Sequence, residues 1–498
     1  MIKFLSFFDL LDIVRASNAF LNQLVQNQFA FLTDGCVLRT TIQVGPNRTD
    51  MLNWCLTKNI LSTDVSIVGN LDPHTVSILP SIVAKVVRLS LDSSCNIQYF
   101  EASHCSHLVD LRVHVSSMIS LGNLSECPSL TTLSLHGCKS LSTDSLLKSL
   151  SGCDNLQSCA ISCCGHNTER AIPELLSERP RLALLEIHGS REHVYNLAVI
   201  LENVRSNKVL YSMRTVIASM YVTVCGTAVR RLAVYCPLLQ NLHLNDVTDS
   251  TLSDGDVDFL CQKCPHLIKL SLRVSQQLTS AALMTVARYL PMLQRFSVAA
   301  CDGIGDEGVI AVAHSCTQLT ALDIQKCQNI TNAAVQQVWQ HCTLLEQLSL
   351  RCCRQITDAA FDLHVHTTVR ELGLYGTRVQ GAFVTQAPML QKLYCGDCSR
   401  LNSRFAQGLA AQPNIISFLD LNDAQFSAQD WLLLSEHLPQ LKRVMICDST
   451  ATNEVVRSFV DHCDQLQWLD AWGCRAVTKD VVEEMKLVYP TRNLDIAL

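Results

Sequence analysis

The sequence predicts an α/β solenoid, in which short parallel strands alternate with helices along an elongated array. Three observations predict this fold class. A frame of apolar residues and cysteines recurs every 26 residues, the first half of each segment alternates like a strand, and the second half follows a helical period. The length of 498 residues also exceeds what one compact core usually organises, whereas a repeat array has no such limit.

The repeat is clearest in "CTQLTALDIQKCQNITNAAVQQVWQH", which begins at Cys316. Apolar residues follow at the third, sixth and eighth positions after this anchor, and Cys327 follows at the eleventh. The frame returns 26 residues later at Cys342. Further copies begin at Cys127, Cys264 and Leu290. Matched positions at a fixed period indicate a stack of structural repeats.

Each repeat carries the signals of its two elements in order. "LTALDI" alternates apolar and polar residues, which predicts a half-buried strand. "ITNAAVQQVWQH" then places Ala334, Val335 and Val338 on one helical face, and Thr331 offers its hydroxyl to the first free amides of that helix. Because one unit cannot bury its own apolar face, neighbouring units must stack, with the strands in a parallel sheet and the helices behind it.

A second copy, "CTLLEQLSLRCCRQITDAAF" from Cys342, resembles the cysteine-containing subclass of leucine-rich repeats, whose pattern is C-x-x-L-x-x-L-x-L-x-x-C-x-x-I-T-D. This subclass is typical of F-box leucine-rich-repeat proteins. The resemblance covers roughly residues 80–498 and implies a horseshoe with a concave parallel sheet and convex helices. Less regular copies bring the expected count to about 17 repeats between residues 81 and 498.

The N-terminal segment, residues 1–35, resembles the second half of an F-box, the helical module that precedes the repeats in that family. The resemblance implies that this segment docks a Skp-type adaptor of a cullin complex. The implied docking residues are Leu5, Asp9, Leu10, Val14, Phe20 and Leu24.

The same segment departs from the F-box pattern. Its opening "L-P-x-E" helix would lie before Met1, and Ser17-Asn18 replaces the usual Cys-Arg or Asn-Arg pair. Two interpretations stay open: a working or ancestral F-box, or a helical cap that covers the end of the solenoid. Residues 36–80 are expected to complete a cap or linker, with a helix in "DMLNWCLTKN" and a first strand in "DVSIVG".

Composition limits the class of partner and the compartment. The net charge is −6, so a dominant basic face for nucleic acid is not expected. No apolar stretch approaches the roughly 20 residues that a membrane helix needs, and the charged residues in the apolar N-terminus favour an amphipathic helix over a signal peptide. With 25 cysteines and no export signal, the chain is expected in the reducing cytoplasm, with a nuclear, cytoskeletal or flagellar location open.

The cysteine pairs are the first candidates for chemistry. Cys261–Cys264 and Cys395–Cys398 have C-x-x-C spacing, but zinc sites combine two such pairs at short separation, and these lie more than 130 residues apart. Most of the cysteines occupy positions of the repeat frame, which indicates small buried packing residues. The sequence also lacks a nucleophile elbow, a phosphate-binding loop and a metalloprotease motif. We therefore expect neither catalytic residues nor a metal or cofactor, and a protein that is not an enzyme.

The positions between the leucines of each strand should face the concave side. Toward the C-terminus these positions become larger and more aromatic, and aromatic residues and Arg supply the hot spots of protein interfaces. The predicted partner-binding residues are Tyr375, Tyr394, Asp420, Arg443, Met445, Trp468, Asp470 and Trp472. The alternative for the two tryptophans is packing beneath a C-terminal cap, because the closing "YPTRNLDIAL" has the pattern of a last strand with an uncovered edge.

Two functions fit these expectations. A long sheet face without catalytic residues favours protein–protein interaction, and the family resemblance implies a substrate-recognition subunit of a cullin-RING ubiquitin ligase. The alternative is a structural scaffold subunit of a large assembly, such as a ciliary or flagellar axonemal complex, in which the F-box is no longer used.

Overall fold

The computed structural model describes residues 42–44, 64–67, 86–92, 98–100, 105–115, 117–204, 209–245, 248–273, 276–362, 368–411, 415–489 and 494–498. The chain divides into two compact units, the first ending at Thr223 and the second beginning at Val224. The boundaries predicted at residues 35 and 80 lie outside the described ranges and stay predictions.

The first unit is built on a parallel sheet. Strands β1 to β7 pair in chain order, β9 pairs with β7, and β8 pairs separately with β10. The strands are β1 (Ile42–Val44), β2 (Asp64–Ile67), β3 (Arg88–Leu91), β4 (Asp110–Val113), β5 (Thr132–His136), β6 (Ser158–Ser162), β7 (Leu184–His188), β8 (Tyr195–Asn196), β9 (Thr215–Ser219) and β10 (Val222–Cys225). The helices are a 3-10 helix (Leu124–Glu126), α1 (Thr143–Leu150), α2 (His166–Glu178) and α3 (Leu197–Glu202). Strand β2 confirms a strand in "DVSIVG", but the prediction that it is the first strand was wrong, because β1 precedes it and pairs with it.

The second unit continues the same alternation. Its strands are β11 (Asn241–Asn245), β12 (Thr248–Thr251), β13 (Lys269–Leu272), β14 (Arg295–Ser297), β15 (Ala321–Asp323), β16 (Gln347–Ser349), β17 (Glu371–Gly373), β18 (Lys392–Tyr394), β19 (Phe418–Asp420), β20 (Arg443–Met445), β21 (Trp468–Asp470) and β22 (Asp495–Ala497). Its α-helices are α4 (Gly226–Tyr235), α5 (Asp254–Lys263), α6 (Ser280–Tyr289), α7 (Asp306–Ser315), α8 (Asn332–His341), α9 (Ser403–Ala410), α10 (Ala428–Glu436), α11 (Asn453–His462) and α12 (Lys479–Val488).

The register of the second sheet confirms the repeat read from the sequence. Lys269 pairs with Arg295, Arg295 with Ala321, and Ala321 with Gln347, so each step across the sheet is one 26-residue repeat. Parallel pairing in chain order then continues from β16 to β22. The fold is an α/β solenoid of leucine-rich repeats, as predicted.

Two repeats of the second unit carry a 3-10 helix where their neighbours carry an α-helix. These helices are Asp358–Phe361 and Ala382–Gln386. They fall where the repeat is shorter than 26 residues. Gln347 pairs with Glu371, and Glu371 pairs with Lys392, and both steps are shorter than 26 residues. A shorter connection leaves too few residues for the eight- to ten-residue α-helix of a full repeat, and a tighter, shorter helix fits instead. Across the described ranges, no helix has both the length and the apolar character needed to cross a bilayer.

The frame cysteines are packing residues that also link neighbouring repeats. Cys316, Cys327 and Cys353 are fully buried. The Cys327 thiol donates to the Val298 carbonyl at 3.7 Å, and the Cys353 thiol donates to the Ile324 carbonyl at 3.2 Å. Burial raises the pKa of Cys316 and of Cys353 to about 12, so both stay protonated at neutral pH. A buried neutral thiol acts as a small apolar group with a weak donor.

A row of large rings, here named the aromatic column, packs behind the second sheet. Its members are Trp339, Phe361, Phe383, Phe405, Phe426 and Trp431, and successive ring centroids lie 5.1 to 6.3 Å apart. The Trp339 indole also donates to the Ala360 carbonyl at 3.0 Å. Because each ring comes from a different repeat or helix, the column stabilises the stacking of the units.

The helix starts form a second link between repeats. The Thr331 hydroxyl accepts from the Ala333 amide at 3.2 Å, which confirms the predicted N-cap. Asn332 reaches into the following repeat, where its side-chain oxygen accepts from the Thr357 amide at 2.9 Å. Asp306 serves Thr331 in the same way, accepting from the Thr331 amide at 2.7 Å. The Thr331-Asn332 step thus stabilises two helices at once.

Candidate interaction surface

The second unit presents the polar positions of its strands on the sheet face that lies away from the helices, named here the open face. In β15, Leu322 is buried, whereas Ala321 and Asp323 on either side are half-buried. Side chains alternate between the two faces of a strand, and the in-register pairing aligns equal positions of successive repeats into rows. Residues distant in sequence therefore meet on the open face.

A depression in the open face gathers three arginines from separate repeats. Arg273, Arg295 and Arg351 line a cavity of about 400 Å³, together with the carboxylates of Asp323 and Glu371. This cavity is named the arginine basin.

Arg273 contributes a buried donor that no described residue satisfies. Its Nε lies 3.8 Å from Asp323 Oδ2, beyond hydrogen-bonding distance. It has no hydrogen-bond partner among the described residues. Asp323 instead accepts from the Ser297 hydroxyl at 3.0 Å. An unsatisfied buried guanidinium N–H favours a ligand that brings an anionic acceptor.

Arg351 is held flat against the sheet. Its guanidinium lies over the Tyr394 ring, 4.2 Å from the ring centroid, in a cation–π contact. Gly373 permits this position, because a Cβ there would lie 3.1 Å from Arg351 Nε. The register thus brings a partner-binding residue predicted from the sequence, Tyr394, into the arginine basin.

The basin is cationic although the chain is acidic overall. Arg295 is exposed, and its guanidinium donates to the Gln347 side chain at 3.3 Å. Burial lowers the pKa of His243, and the charges of Lys269 and Arg295 lower it further, so this imidazole is neutral at pH 7. Three permanent positive charges therefore face two carboxylates, which suits an anionic group of a partner.

The partner-binding residues predicted from the sequence form a second region of the open face, named the C-terminal patch. Its members are Tyr375, Tyr394, Asp420, Arg443, Met445, Trp468, Asp470 and Trp472. Tyr394, Asp420, Met445 and Asp470 are paired neighbours along one row. Arg443 and Trp468 are paired along a second row. Tyr375 and Trp472 lie just beyond the strand ends. Their role in binding stays a prediction.

The two tryptophans differ in exposure. Trp472 is 61% exposed, and Trp468 is half-buried. Trp468 and Arg443 line a shallow cavity of about 370 Å³ with Asp495 of β22. Within the described residues, the Trp472 side chain is not covered by a cap, and this exposure favours the partner-binding interpretation over the packing interpretation.

Asp420 differs from the expectation that every member of the patch faces solvent. It is only 7% exposed, and burial raises the pKa of its carboxyl. Gly396 explains the burial, because the Tyr375 ring and the Asp420 carboxylate both lie against the space where a Cβ would stand. Asp420 also accepts from the Asn422 amide at 3.1 Å. Asp420 is therefore a buried part of the patch and not a side chain that a partner contacts.

The predicted adaptor-docking residues lie outside the described ranges. They are Leu5, Asp9, Leu10, Val14, Phe20 and Leu24, and their role stays a prediction.

The arginine basin was missed in the sequence because its members are single charged residues in separate repeats. A weak signal does exist. Arg273 and Arg351 both stand nine positions after a frame cysteine, and Lys269 and Arg295 both stand five positions after a frame anchor. Comparing such frame positions between repeats would have shown that basic residues fall in two rows, on either side of the row that carries Ser271, Ser297 and Asp323.

Comparison with known proteins agrees with the repeat architecture. A family model described as a leucine-rich repeat matches residues 289–313. No curated protein matches the chain significantly. Similar solved structures include the Rad7–Elc1 complex of yeast, with a TM-score of 0.44 at 13% identity, covering 96% of this chain and 98% of that chain.

Two further solved structures are similar. One is an internalin of Listeria monocytogenes, with a TM-score of 0.41 at 18% identity, covering 66% of this chain and 83% of that chain. The other is the mouse RP105/MD-1 complex, with a TM-score of 0.42 at 11% identity, covering 87% of this chain and 90% of that chain.

Proposed function

We propose that the protein is a non-catalytic substrate-recognition subunit that binds a protein partner on the open face of its second unit. Leucine-rich repeats serve protein interaction, and the observation that carries the proposal is the arginine basin. Its buried, unsatisfied Arg273 Nε and its exposed Arg295 suit a segment of the partner that bears carboxylates.

The C-terminal patch extends this surface. Tyr394 belongs to both regions, so a bound segment that leaves the basin along the row of β18 to β21 meets Met445 and Asp470. Arginines would fix the anionic end of the segment, and Trp472 would supply an apolar anchor.

The class of complex follows from the F-box resemblance of residues 1–35. In this proposal the segment docks a Skp-type adaptor and the repeats present the substrate to a cullin-RING ubiquitin ligase. The competing role is the scaffold subunit of a large assembly, and the replacement of the usual Cys-Arg or Asn-Arg pair by Ser17-Asn18 favours this role.

Adaptor binding separates the two roles. The full chain is expected to retain a purified Skp-type adaptor in a pull-down, and Leu10→Asp is expected to abolish retention because it places a charge in an apolar docking helix. Asn22→Asp adds the same charge at a position outside the docking set and serves as the control. Absence of adaptor binding by the folded chain would overturn the ligase role and leave the scaffold.

Charge reversal tests the basin directly. The double variant Arg295→Glu/Arg351→Glu is expected to bind a fluorescent oligo-glutamate peptide at least roughly ten-fold more weakly than the parent, measured by anisotropy at low salt, because each reversal replaces attraction with repulsion. Arg404→Glu, exposed on α9, is the matched control and should leave affinity unchanged. Equal affinities of parent and double variant would contradict the proposal.

A further inference from the structure

A cluster of ligating side chains lies at the start of α2 in the first unit. His166 and Glu169 lie one helical turn apart on α2, and His193 enters from the turn after β7. Glu169 Oε2 lies 3.1 Å from His166 Nδ1 and 3.4 Å from His193 Nε2. The three ligand atoms all lie within 4.8 Å of one another.

These separations are those of adjacent ligands around a tetrahedral metal ion. With zinc–nitrogen and zinc–oxygen bonds of about 2.0–2.1 Å, neighbouring ligand atoms of a tetrahedron stand roughly 3.3–3.4 Å apart. The distances from Glu169 Oε2 to the two imidazole nitrogens fall at or near this value. The two imidazole nitrogens lie within 4.8 Å of each other, and a bound ion would draw them together.

His193 gives an independent reason to expect a ligand. Its Nε2 atom is buried and has no hydrogen-bond partner among the described residues, although it points toward Glu169. Leaving a buried polar atom unsatisfied destabilises the folded state, and a cation between the three side chains would remove that cost.

The ligands are held in place before any ion binds. Glu169 Oε1 accepts from the Asn196 amide at 2.9 Å, which leaves Oε2 for the cluster. The turn that carries His193 is closed by two backbone hydrogen bonds, of 2.8 and 3.0 Å, between Ser190 and His193. Such outer contacts orient metal ligands and raise affinity.

Charge and access are also favourable. The start of a helix carries partial positive charge, which disfavours a cation, and the Glu169 carboxylate in the first turn offsets it. His166 is 72% exposed on one side of the cluster. On that side a cleft of about 570 Å³ between α2 and α3 adjoins His166 and Glu169. A fourth ligand can reach the cluster from this cleft.

We propose that His166, Glu169 and His193 bind a divalent transition-metal ion of the zinc class through Nδ1, Oε2 and Nε2, with a fourth position open to water or to a donor atom of a bound molecule. Two imidazoles with one carboxylate suit zinc, cobalt or nickel, and they disfavour calcium and magnesium, which prefer oxygen ligands.

Zinc titration of the tag-free full chain tests the site. Calorimetry should show one zinc ion per chain, released by a chelator, and zinc should raise the thermal midpoint because the ion binds the folded state. Glu169→Gln and His193→Gln should each weaken zinc binding by at least about 100-fold, because each removes a direct ligand and the loss of an outer partner alone costs about 10–100-fold. His166→Gln removes an exposed ligand, so it should fold normally and still weaken binding. His341→Gln is the matched control, because His341 lies beside His314, 4.0 Å between ring centroids, on the second unit.

Cobalt substitution identifies the donor atoms. The expected spectrum has weak visible bands of tetrahedral nitrogen and oxygen coordination without a thiolate charge-transfer band. Unchanged zinc affinity in His166→Gln and His193→Gln, a thiolate band that shows binding by cysteines, or no binding by the folded parent would each overturn the proposal.

Discussion

At the scale of single residues, burial decides which polar groups a partner can reach. Asp420 and Asp470 occupy equivalent positions of their repeats, yet Asp420 is buried and Asp470 is half-buried. The difference comes from Gly396, which lets the Tyr375 ring approach the Asp420 carboxylate. Gly396, two residues beyond the end of β18, therefore determines how deeply a carboxyl of the neighbouring repeat is buried.

The raised pKa of Asp420 predicts a pH-dependent stability. Because the folded state holds the proton more tightly than the unfolded state, whose pKa is near 3.8, this carboxyl contributes less to stability as the pH rises through its folded-state pKa. Asp420→Asn stays neutral and can keep an acceptor for the Asn422 amide. We expect it to be more stable than the parent at pH 7, with the difference shrinking toward pH 4.

Urea unfolding at both pH values measures the effect. A variant that is less stable than the parent at pH 7 would show that the ionised carboxylate is favoured, with the nearby Arg351 as its counter-charge.

At the scale of elements, three links hold neighbouring repeats together: thiol-to-carbonyl bonds, Thr-Asn steps and the aromatic column. The column matters most where the 3-10 helices replace α-helices, because a shorter helix buries less apolar surface. Phe361 and Phe383 stand in those two helices, and their ring centroids lie 5.2 Å apart. Large rings fill the space that short helices leave.

Phe383→Ala is therefore expected to destabilise the protein strongly. Phe383 is 1% exposed and lies between Phe361 and Phe405, so truncation should cost about 3–5 kcal/mol of unfolding free energy. Met292→Ala, at a side chain that is 63% exposed, is the matched control and should change stability by less than about 0.5 kcal/mol. Chemical unfolding compares the two, and a loss below about 1 kcal/mol for Phe383→Ala would show that the column carries little of the stacking energy.

At the scale of the whole molecule, two interpretations of Trp468 and Trp472 in the C-terminal patch need to be separated. The tryptophans either bind a partner or pack beneath a C-terminal cap. Double substitution of Trp468 and Trp472 by Ala is expected to abolish partner capture and to leave the thermal midpoint near that of the parent, because Trp472 is 61% exposed. The control is Leu487→Ala/Val488→Ala, an exposed apolar pair on α12. Quantitative affinity purification and thermal unfolding give the two readouts. A collapse of stability in the tryptophan variant would support the packing interpretation.

The repeat fold could be predicted because a few residues per repeat determine it. Leucines at fixed offsets set the buried side of each strand, and a threonine sets the start of each helix, so the frame of Cys316 alone gave the element order. The 3-10 helices could not be predicted with equal precision, because they depend on how many residues a short repeat leaves after its strand.

The candidate sites were harder to predict because they combine residues from separate elements. Arg273, Arg295 and Arg351 meet only after the register has aligned their repeats. His166, Glu169 and His193 lie on a helix and a turn of irregular repeats, where no frame position marks them. The burial of Asp420 depends on a glycine in another repeat, so counting polar residues along one strand could not reveal it.

The 26-residue register from β13 to β16 also bears on how such a chain changes by inheritance. Residues 290–315 form one complete 26-residue period, and its removal would place Lys269 beside Ala321 with every later pairing unchanged in kind. The same event would remove Arg295, one of the three cations of the basin. Duplication or deletion of whole periods can therefore lengthen or shorten the binding surface, or change its charge, in one step. An insertion of one residue within a strand would instead misalign that strand with its neighbours.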